Sequence, residues 1–172
     1  MKEKRDSQRM STKKMTELAL LTATALILYL VELQLPAPVP IPGIKLGLAN
    51  IITVYAVYRY RPGEVLMVVL VRIFLGSMFG GSMMTFFYSL AGSLLCLLGM
   101  LVLRHIVDGG AIWLASVLGA VLHNLGQMLV ACLIAGKGML FYLPFLLVAG
   151  CIAGAFTGLC AQLVLNRGIR NR

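Results

Sequence analysis

The sequence predicts an all-α membrane protein with six transmembrane helices and with its N- and C-termini in the cytoplasm. Of its 172 residues, 60% are hydrophobic and only 12% are charged, which is too little charge to cover the surface of a soluble domain. The apolar residues form runs of the length needed to cross a hydrocarbon layer about 30 Å thick. The basic residues gather at the breaks on one predicted side of the membrane. These observations indicate a single multi-pass domain.

Six apolar runs are predicted to span the membrane: residues 16–35, 44–58, 64–79, 82–103, 111–135 and 139–165. No small-residue cleavage site follows the first run, so it is interpreted as a retained span and not as a signal peptide. Four prolines within residues 36–42 end it, because proline disrupts a helix interior and favours a stiff, extended chain.

The later breaks carry turn signals of their own. Arg59–Gly63 ends the short second run, and Pro62 is well placed to begin the next helix. Glycines mark the remaining breaks at 80–81, 104–110 and 136–138. The predicted organisation is a basic cytoplasmic segment 1–15, a transmembrane domain 16–165 and a basic tail 166–172. Short helices beside a rigid loop are typical of a solute cavity at membrane depth.

The charge distribution predicts the orientation. With a cytoplasmic N-terminus, twelve of the fifteen basic residues fall in inner segments, Lys45 and Lys137 fall in outer segments, and Arg72 lies within the third span. This bias follows the positive-inside rule, and an odd number of spans would place one basic terminus outside. The N-terminal segment also suits anionic membrane lipid. Nucleic acid is not an expected partner. We predict a location in the plasma membrane of a bacterium.

Residues suited to catalysis are scarce. The chain has only two aspartates and has no Walker A, GxSxG or HExxH motif. Its four cysteines lie inside apolar runs without CxxC spacing, and His105 and His123 do not complete a metal pattern. We therefore expect a protein that is not an enzyme, holds no cofactor or metal, and takes energy for transport from a partner or an ion gradient.

Arg72 is the most informative single residue. Placing a charge in the middle of a span costs at least about 2.5–3.5 kcal/mol of free energy unless the charge has an opposite partner or contacts water. One interpretation is structural: Arg72 pairs with Glu32 or with helix carbonyls and fixes the packing. The other is functional: Arg72 faces an outward cavity and binds an anionic group of a solute, with Lys45 at the mouth. The sequence leaves both open.

Further polar residues within the spans can bind a solute or join neighbouring helices. They are Asn50 in the second span and His123, Asn124 and Gln127 in the fifth, where spacings of three and four place Gln127 beside the other two. Two rows of small residues favour close helix packing: Ser82, Thr85, Ser89 and Ser93 in the fourth span, and Gly150, Gly154 and Gly158 in the sixth.

Three segments resemble one membrane family: 42–50 (PGIKLGLAN), 72–77 (RIFLGS) and 122–127 (LHNLGQ). The chain is similar to the substrate-binding S components of energy-coupling factor (ECF) transporters, and most of all to the Gx transporter family, which is also labelled heptaprenyl diphosphate synthase component I. The resemblance implies six helices and a solute pocket near the outer side, closed by the loop between spans one and two. It also implies an AxxxA face on span one, matched by Ala19 and Ala23, that docks on a membrane T subunit driven by two ATPases.

The resemblance leads to a first hypothesis of an S subunit that captures a small solute from outside, and the functional interpretation of Arg72 makes that solute anionic. The synthase label leads to an alternative, an accessory membrane subunit of a polyprenyl diphosphate synthase, because the aspartate-rich motifs needed for catalysis are missing. A solitary gradient-driven carrier is disfavoured by the lack of acidic groups in the middle of the membrane.

Overall fold

A computed structural model describes residues 11–34, 47–80, 83–106 and 111–170, with the backbone alone at 167–170. Within these ranges the chain is helical and contains no strand. The helices are α1 (Thr12–Gln34), α2 (Asn50–Arg59), α3 (Pro62–Gly80), α4 (Met83–Leu103), α5 (Ile112–Ala135), a 3-10 segment (Lys137–Tyr142) and α6 (Leu143–Arg170).

Five helices are long and apolar enough to cross a membrane: α1, α3, α4, α5 and α6 with the 3-10 segment before it. The chain is therefore a multi-pass helical protein. The helix α2 has 10 residues, or about 15 Å at 1.5 Å per residue, and so covers about half of the hydrocarbon thickness. The predicted helical start of span two at residue 44 is wrong for residues 47–49, which form a turn with Gly47 at φ +80°. The count of six complete crossings therefore stays a prediction.

Helix boundaries differ from the predicted spans mainly at the two ends of the chain. The helix α1 begins at Thr12, inside the predicted segment 1–15, and α6 continues to Arg170, inside the predicted tail. The third span is longer than predicted and begins at Pro62, where Glu64 accepts a hydrogen bond from the Arg61 backbone N–H at 3.0 Å. Side-chain capping of this kind satisfies an otherwise unpaired amide at the start of a helix.

The helices α4, α5 and α6 form the most closely packed part of the bundle. Glycines make this possible: a Cβ added at Gly126 would lie 2.7 Å from the Ala91 carbonyl oxygen and 2.8 Å from the Gly92 Cα. On the other face of α5, added Cβ atoms at Gly154 and Gly158 would lie 2.8 Å and 2.6 Å from backbone atoms. The close-packing face predicted for the glycines of the sixth span is therefore confirmed.

The helices α1 and α3 run in the same direction, and polar contacts join their first turns. Lys14 Nζ lies 2.7 Å from Glu64 Oε1, and the Tyr60 hydroxyl donates to Glu17 Oε2 at 3.0 Å. Burial, and next the hydrogen bond to Glu17, raise the pKa of Tyr60 to about 12, so its hydroxyl remains a donor at neutral pH. The helices α2 and α4 also finish at this end of the bundle. We call it the basic end, because it carries Arg59, Arg61 and Arg104 at the helix ends.

Candidate polar site between the helices

Arg72 is buried midway along α3, with 6% of its surface exposed. Its Nη2 donates to the Ser93 hydroxyl of α4 at 2.8 Å, whereas its Nε has no hydrogen-bond partner. Buried polar atoms are nearly always satisfied by protein, water or a ligand, so an unpaired guanidinium nitrogen at this depth needs an explanation.

A small cavity adjoins Arg72 in the half of the bundle away from the basic end. It holds about 10 Å³, room for about one water molecule. Its lining is mostly polar and comes from three helices: Tyr29, Arg72, Ile73, Ser77, Thr85 and Ser89. The cavity thus gathers four hydroxyl-bearing side chains around one charge.

The position of Tyr29 over this cavity depends on two glycines of α3. A Cβ added at Gly76 would lie 2.9 Å from Tyr29 Cε1, and one at Gly80 would lie 3.2 Å from the same atom. Glycine at both positions therefore lets the Tyr29 ring approach α3 closely. The ring is buried, and Tyr29 is an electrostatic neighbour of Arg72.

Glu32, buried near the end of α1, accepts hydrogen bonds from the backbone N–H groups of Gly47 and Leu48, the latter at 3.0 Å. It therefore ties the turn before α2 to α1. It is also an electrostatic neighbour of Arg72. This arrangement includes elements of both interpretations of Arg72. The negative charge of Glu32 acts on Arg72, as the structural interpretation requires. Arg72 also lines a cavity, as the functional interpretation requires.

His123 and Gln127 lie behind Arg72 on α5, where both face Gly92 of α4. The His123 ring donates to the Gly92 carbonyl, and its Nδ1 is buried without a hydrogen-bond partner. Arg72 and His123 are electrostatic neighbours. Both residues thus belong to one buried polar cluster with Ser93.

Two other predicted site residues, Asn124 and Asn50, lie apart from the cavity lining. The Asn124 amide donates to the Leu146 carbonyl at 2.6 Å and so joins α5 to α6. Asn50 is buried at the first position of α2, where its Nδ2 would lie 3.0 Å from a Cβ added at Gly47. Lys45 falls outside the described residues. Among the described residues, no group of three or more histidine, cysteine, aspartate or glutamate side chains could hold a metal.

Ala19 and Ala23 are exposed and lie in an apolar groove between α1 and α3. The groove has a volume of about 460 Å³, and its α3 side is formed by Met67, Val68, Val71 and Leu75. The predicted AxxxA face is therefore directed outward and is not buried against the chain's own helices.

The hydroxyl groups around Arg72 were not predicted as site residues. Thr85, Ser89 and Ser93 recur at spacings of four, which was interpreted as a close-packing face. In the structure two of them line the cavity, and Ser93 accepts a hydrogen bond from Arg72. The sequence did contain a signal for them, because a buried arginine needs hydrogen-bond acceptors and this row in the fourth span offers several hydroxyl groups. Tyr29 and Ser77 carried no comparable pattern.

Comparison with known proteins extends along most of the chain. The family model described as heptaprenyl diphosphate synthase component I matches residues 21–164. This range begins within α1 and ends within α6, and it includes Arg72 and the helices that line the cavity. No curated protein and no solved structure gave a match. The chain belongs to the heptaprenyl diphosphate synthase component I family.

Proposed function

We propose that this chain is the substrate-binding membrane subunit of an ECF-type importer, located in the plasma membrane of a bacterium. It captures a small solute from the outer side and acts as a binding subunit, not as a catalyst. The single observation that carries the proposal is Arg72, a buried charge beside a hydroxyl-lined cavity, with one nitrogen left unpaired. An intramembrane charge of this kind marks a functional site more often than a packing device.

The position of the cavity supports capture from the side opposite the basic end. Ser77 lies near the end of α3, and Thr85 and Ser89 lie in the first two turns of α4. In the orientation given by the positive-inside rule, this is the outer half of the bundle. A solute arriving from outside would therefore meet the hydroxyl groups before it reached Arg72.

The Glu32 contact supports a closing role for the loop between α1 and α2. Gly47 and Leu48 directly follow the proline-rich stretch, and Glu32 binds the backbone of both. One end of the loop is thereby fixed to α1, near Tyr29 of the cavity lining. The prolines predict a stiff segment here, and the resemblance to S components implies that it closes the pocket.

The apolar groove supports docking of a helical membrane partner. Small residues allow helices to approach closely, and Ala19 and Ala23 offer them on an exposed face. The partner in this proposal is an ECF T subunit together with two ATPases, because the chain has no Walker A motif.

The test is affinity purification in mild detergent from the native host, with tandem mass spectrometry of the co-purifying proteins. We expect a T subunit and ATPases with the wild type, and their loss in Ala19→Leu and Ala23→Leu. The matched control is Ala135→Leu, since Ala135 is an exposed alanine outside the groove. Recovery of no such partners with the wild type, or equal recovery with all three variants, would refute the proposal.

A second candidate function rests on the family description: an accessory, non-catalytic membrane subunit of a heptaprenyl diphosphate synthase. In that case the groove would dock a subunit of the synthase. Co-purification of a soluble, aspartate-rich synthase in place of ATPases would favour it. The same experiment therefore separates the two functions.

A further inference from the structure

We propose that the solute is an oxyanion, a carboxylate or a phosphate, and that one of its oxygens binds Arg72 Nε in the cavity. This inference rests on the proposed capture function and names the class of its substrate. Three features support it: the unpaired Nε of Arg72, the buried charge of Arg72 and the lining of the cavity.

The donor is fixed in position and lacks an acceptor. The bond from Nη2 to Ser93 at 2.8 Å holds the guanidinium plane, and Nε remains unpaired. Arginine prefers planar oxyanions, because its N–H groups match their oxygens and its charge strengthens each hydrogen bond. A neutral acceptor could satisfy Nε but would add no negative charge to that of Glu32, the one acid that acts electrostatically on Arg72 among the described residues.

Each acid of the described chain makes hydrogen bonds or an ion pair with groups other than Arg72, and Glu32 alone also acts electrostatically on Arg72. Glu17 accepts from Tyr60, Glu64 lies 2.7 Å from Lys14, and Glu32 accepts from two backbone amides. Removing a buried charge from water costs several kcal/mol, which hydrogen bonds and an opposite charge must offset. An anionic solute would supply that opposite charge directly at Arg72.

The cavity chemistry agrees with an oxyanion. Hydroxyl-bearing side chains of Tyr29, Ser77, Thr85 and Ser89 line the space. The Ser77 hydroxyl donates to the Phe74 carbonyl at 2.7 Å, and Tyr29 and Ser89 share a hydrogen bond. A hydroxyl can rotate, so these groups can turn a donor toward an oxygen that enters the cavity. At about 10 Å³ the space accepts a single oxygen-sized group. One oxygen of the solute therefore takes the place that one water molecule can fill.

Acetate, its neutral counterpart acetamide, and inorganic phosphate are suitable probes. Each is titrated into the purified protein at constant ionic strength, and unfolding is followed by the fluorescence of Trp113, the single tryptophan. We expect acetate or phosphate, but not acetamide, to raise the unfolding temperature of the wild type. A response to one anion alone identifies carboxylate or phosphate as the source of the oxygen.

Two variants and one control test the position of the anion. Arg72→Gln should weaken binding about 10- to 100-fold, the equivalent of one charge-assisted hydrogen bond. Ser89→Leu keeps the charge but fills the cavity, and should abolish binding. Arg59→Gln removes an exposed arginine far from the cavity and should leave binding unchanged. Equal responses to acetate and acetamide, or undiminished anion binding in Ser89→Leu, would overturn the inference even if Arg72→Gln fails to fold.

Native mass spectrometry of the wild type gives an independent reading. A co-purified carboxylate or phosphate supports the inference, and a co-purified neutral solute overturns it. If ECF partners are recovered together with a neutral solute, the capture function is supported and the proposal of an oxyanion solute is refuted. If anions bind through Arg72 but no partners are recovered, the oxyanion site stands and the importer role fails.

Discussion

The close backbone contact between α4 and α5 at Gly126 leads to a quantitative prediction for Gly126→Ala. The new Cβ would lie 2.7–2.9 Å from backbone atoms of Ala91 and Gly92, closer than real Cβ contacts, so the helices must move apart. Overpacking of this kind costs about 1–3 kcal/mol, and we take about 3 kcal/mol because backbone cannot rotate away. Alanine regains about 1 kcal/mol of helix propensity. The net destabilisation is therefore about 2 kcal/mol.

Two other glycines provide matched controls. Gly63 lies in the first turn of α3 with no atom within 4 Å of an added Cβ, so Gly63→Ala should stabilise the protein by about 0.4–1 kcal/mol. At Gly119 the added Cβ would meet the terminal methyl of Met100 at 2.4 Å. Methionine is flexible and can yield, so Gly119→Ala should cost less than Gly126→Ala.

Thermal unfolding in detergent, followed by Trp113 fluorescence, measures all three variants. For a chain of this size 1 kcal/mol shifts the midpoint by about 2–4 °C. Gly126→Ala should therefore lower the midpoint by about 4–8 °C, and Gly63→Ala should raise it by about 1–4 °C. An unchanged midpoint in Gly126→Ala, or a larger drop in Gly119→Ala, would contradict the backbone contact on which this reasoning depends.

Two of three further predictions use the same thermal unfolding measurement, and the third uses amide hydrogen exchange. Asn124→Leu removes the donor to the Leu146 carbonyl and should cost about 1–3 kcal/mol, since no water replaces it at that depth; an unchanged midpoint would mean that this bond does not hold α5 to α6. Glu32→Ala should speed amide hydrogen exchange in the turn before α2, which loses its acceptor, and an unchanged rate would argue against the contact. Lys14→Met breaks a half-exposed ion pair with Glu64 and should cost at most about 1 kcal/mol; a drop as large as for Gly126→Ala would contradict that ranking.

Most of the helical architecture could be predicted because apolar run length and glycine or proline breaks act locally. The fifth span was predicted as 111–135, and α5 covers Ile112–Ala135. The second span was overestimated, because hydropathy cannot distinguish a helix from an apolar turn. Gly47 adopts a left-handed conformation, and Glu32 stabilises the turn from 15 residues away in the sequence. Long-range hydrogen bonds of this kind leave no periodic signal.

The candidate site was predicted only in part, because some of its residues stand out in the sequence and others do not. Arg72, His123 and Glu32 are unusual residues for apolar helices, so each attracted attention individually. Serine and threonine are common in packed membrane helices, and only the rotation of α4 relative to α3 brings Ser89 into the lining of the cavity next to Arg72. Helix rotation depends on all neighbouring contacts at once, which a single sequence does not reveal.

The short helix α2 has a consequence for how the chain can turn inside a bilayer. Because α2 ends at the basic end and is about 15 Å long, its first residues lie well below the opposite membrane surface. At such a depth a bend in the backbone exposes amides that lipid cannot satisfy. Glu32 offers its carboxylate to two of these amides. One acid on α1 thus supplies the acceptors that this turn needs at a depth where lipid offers none.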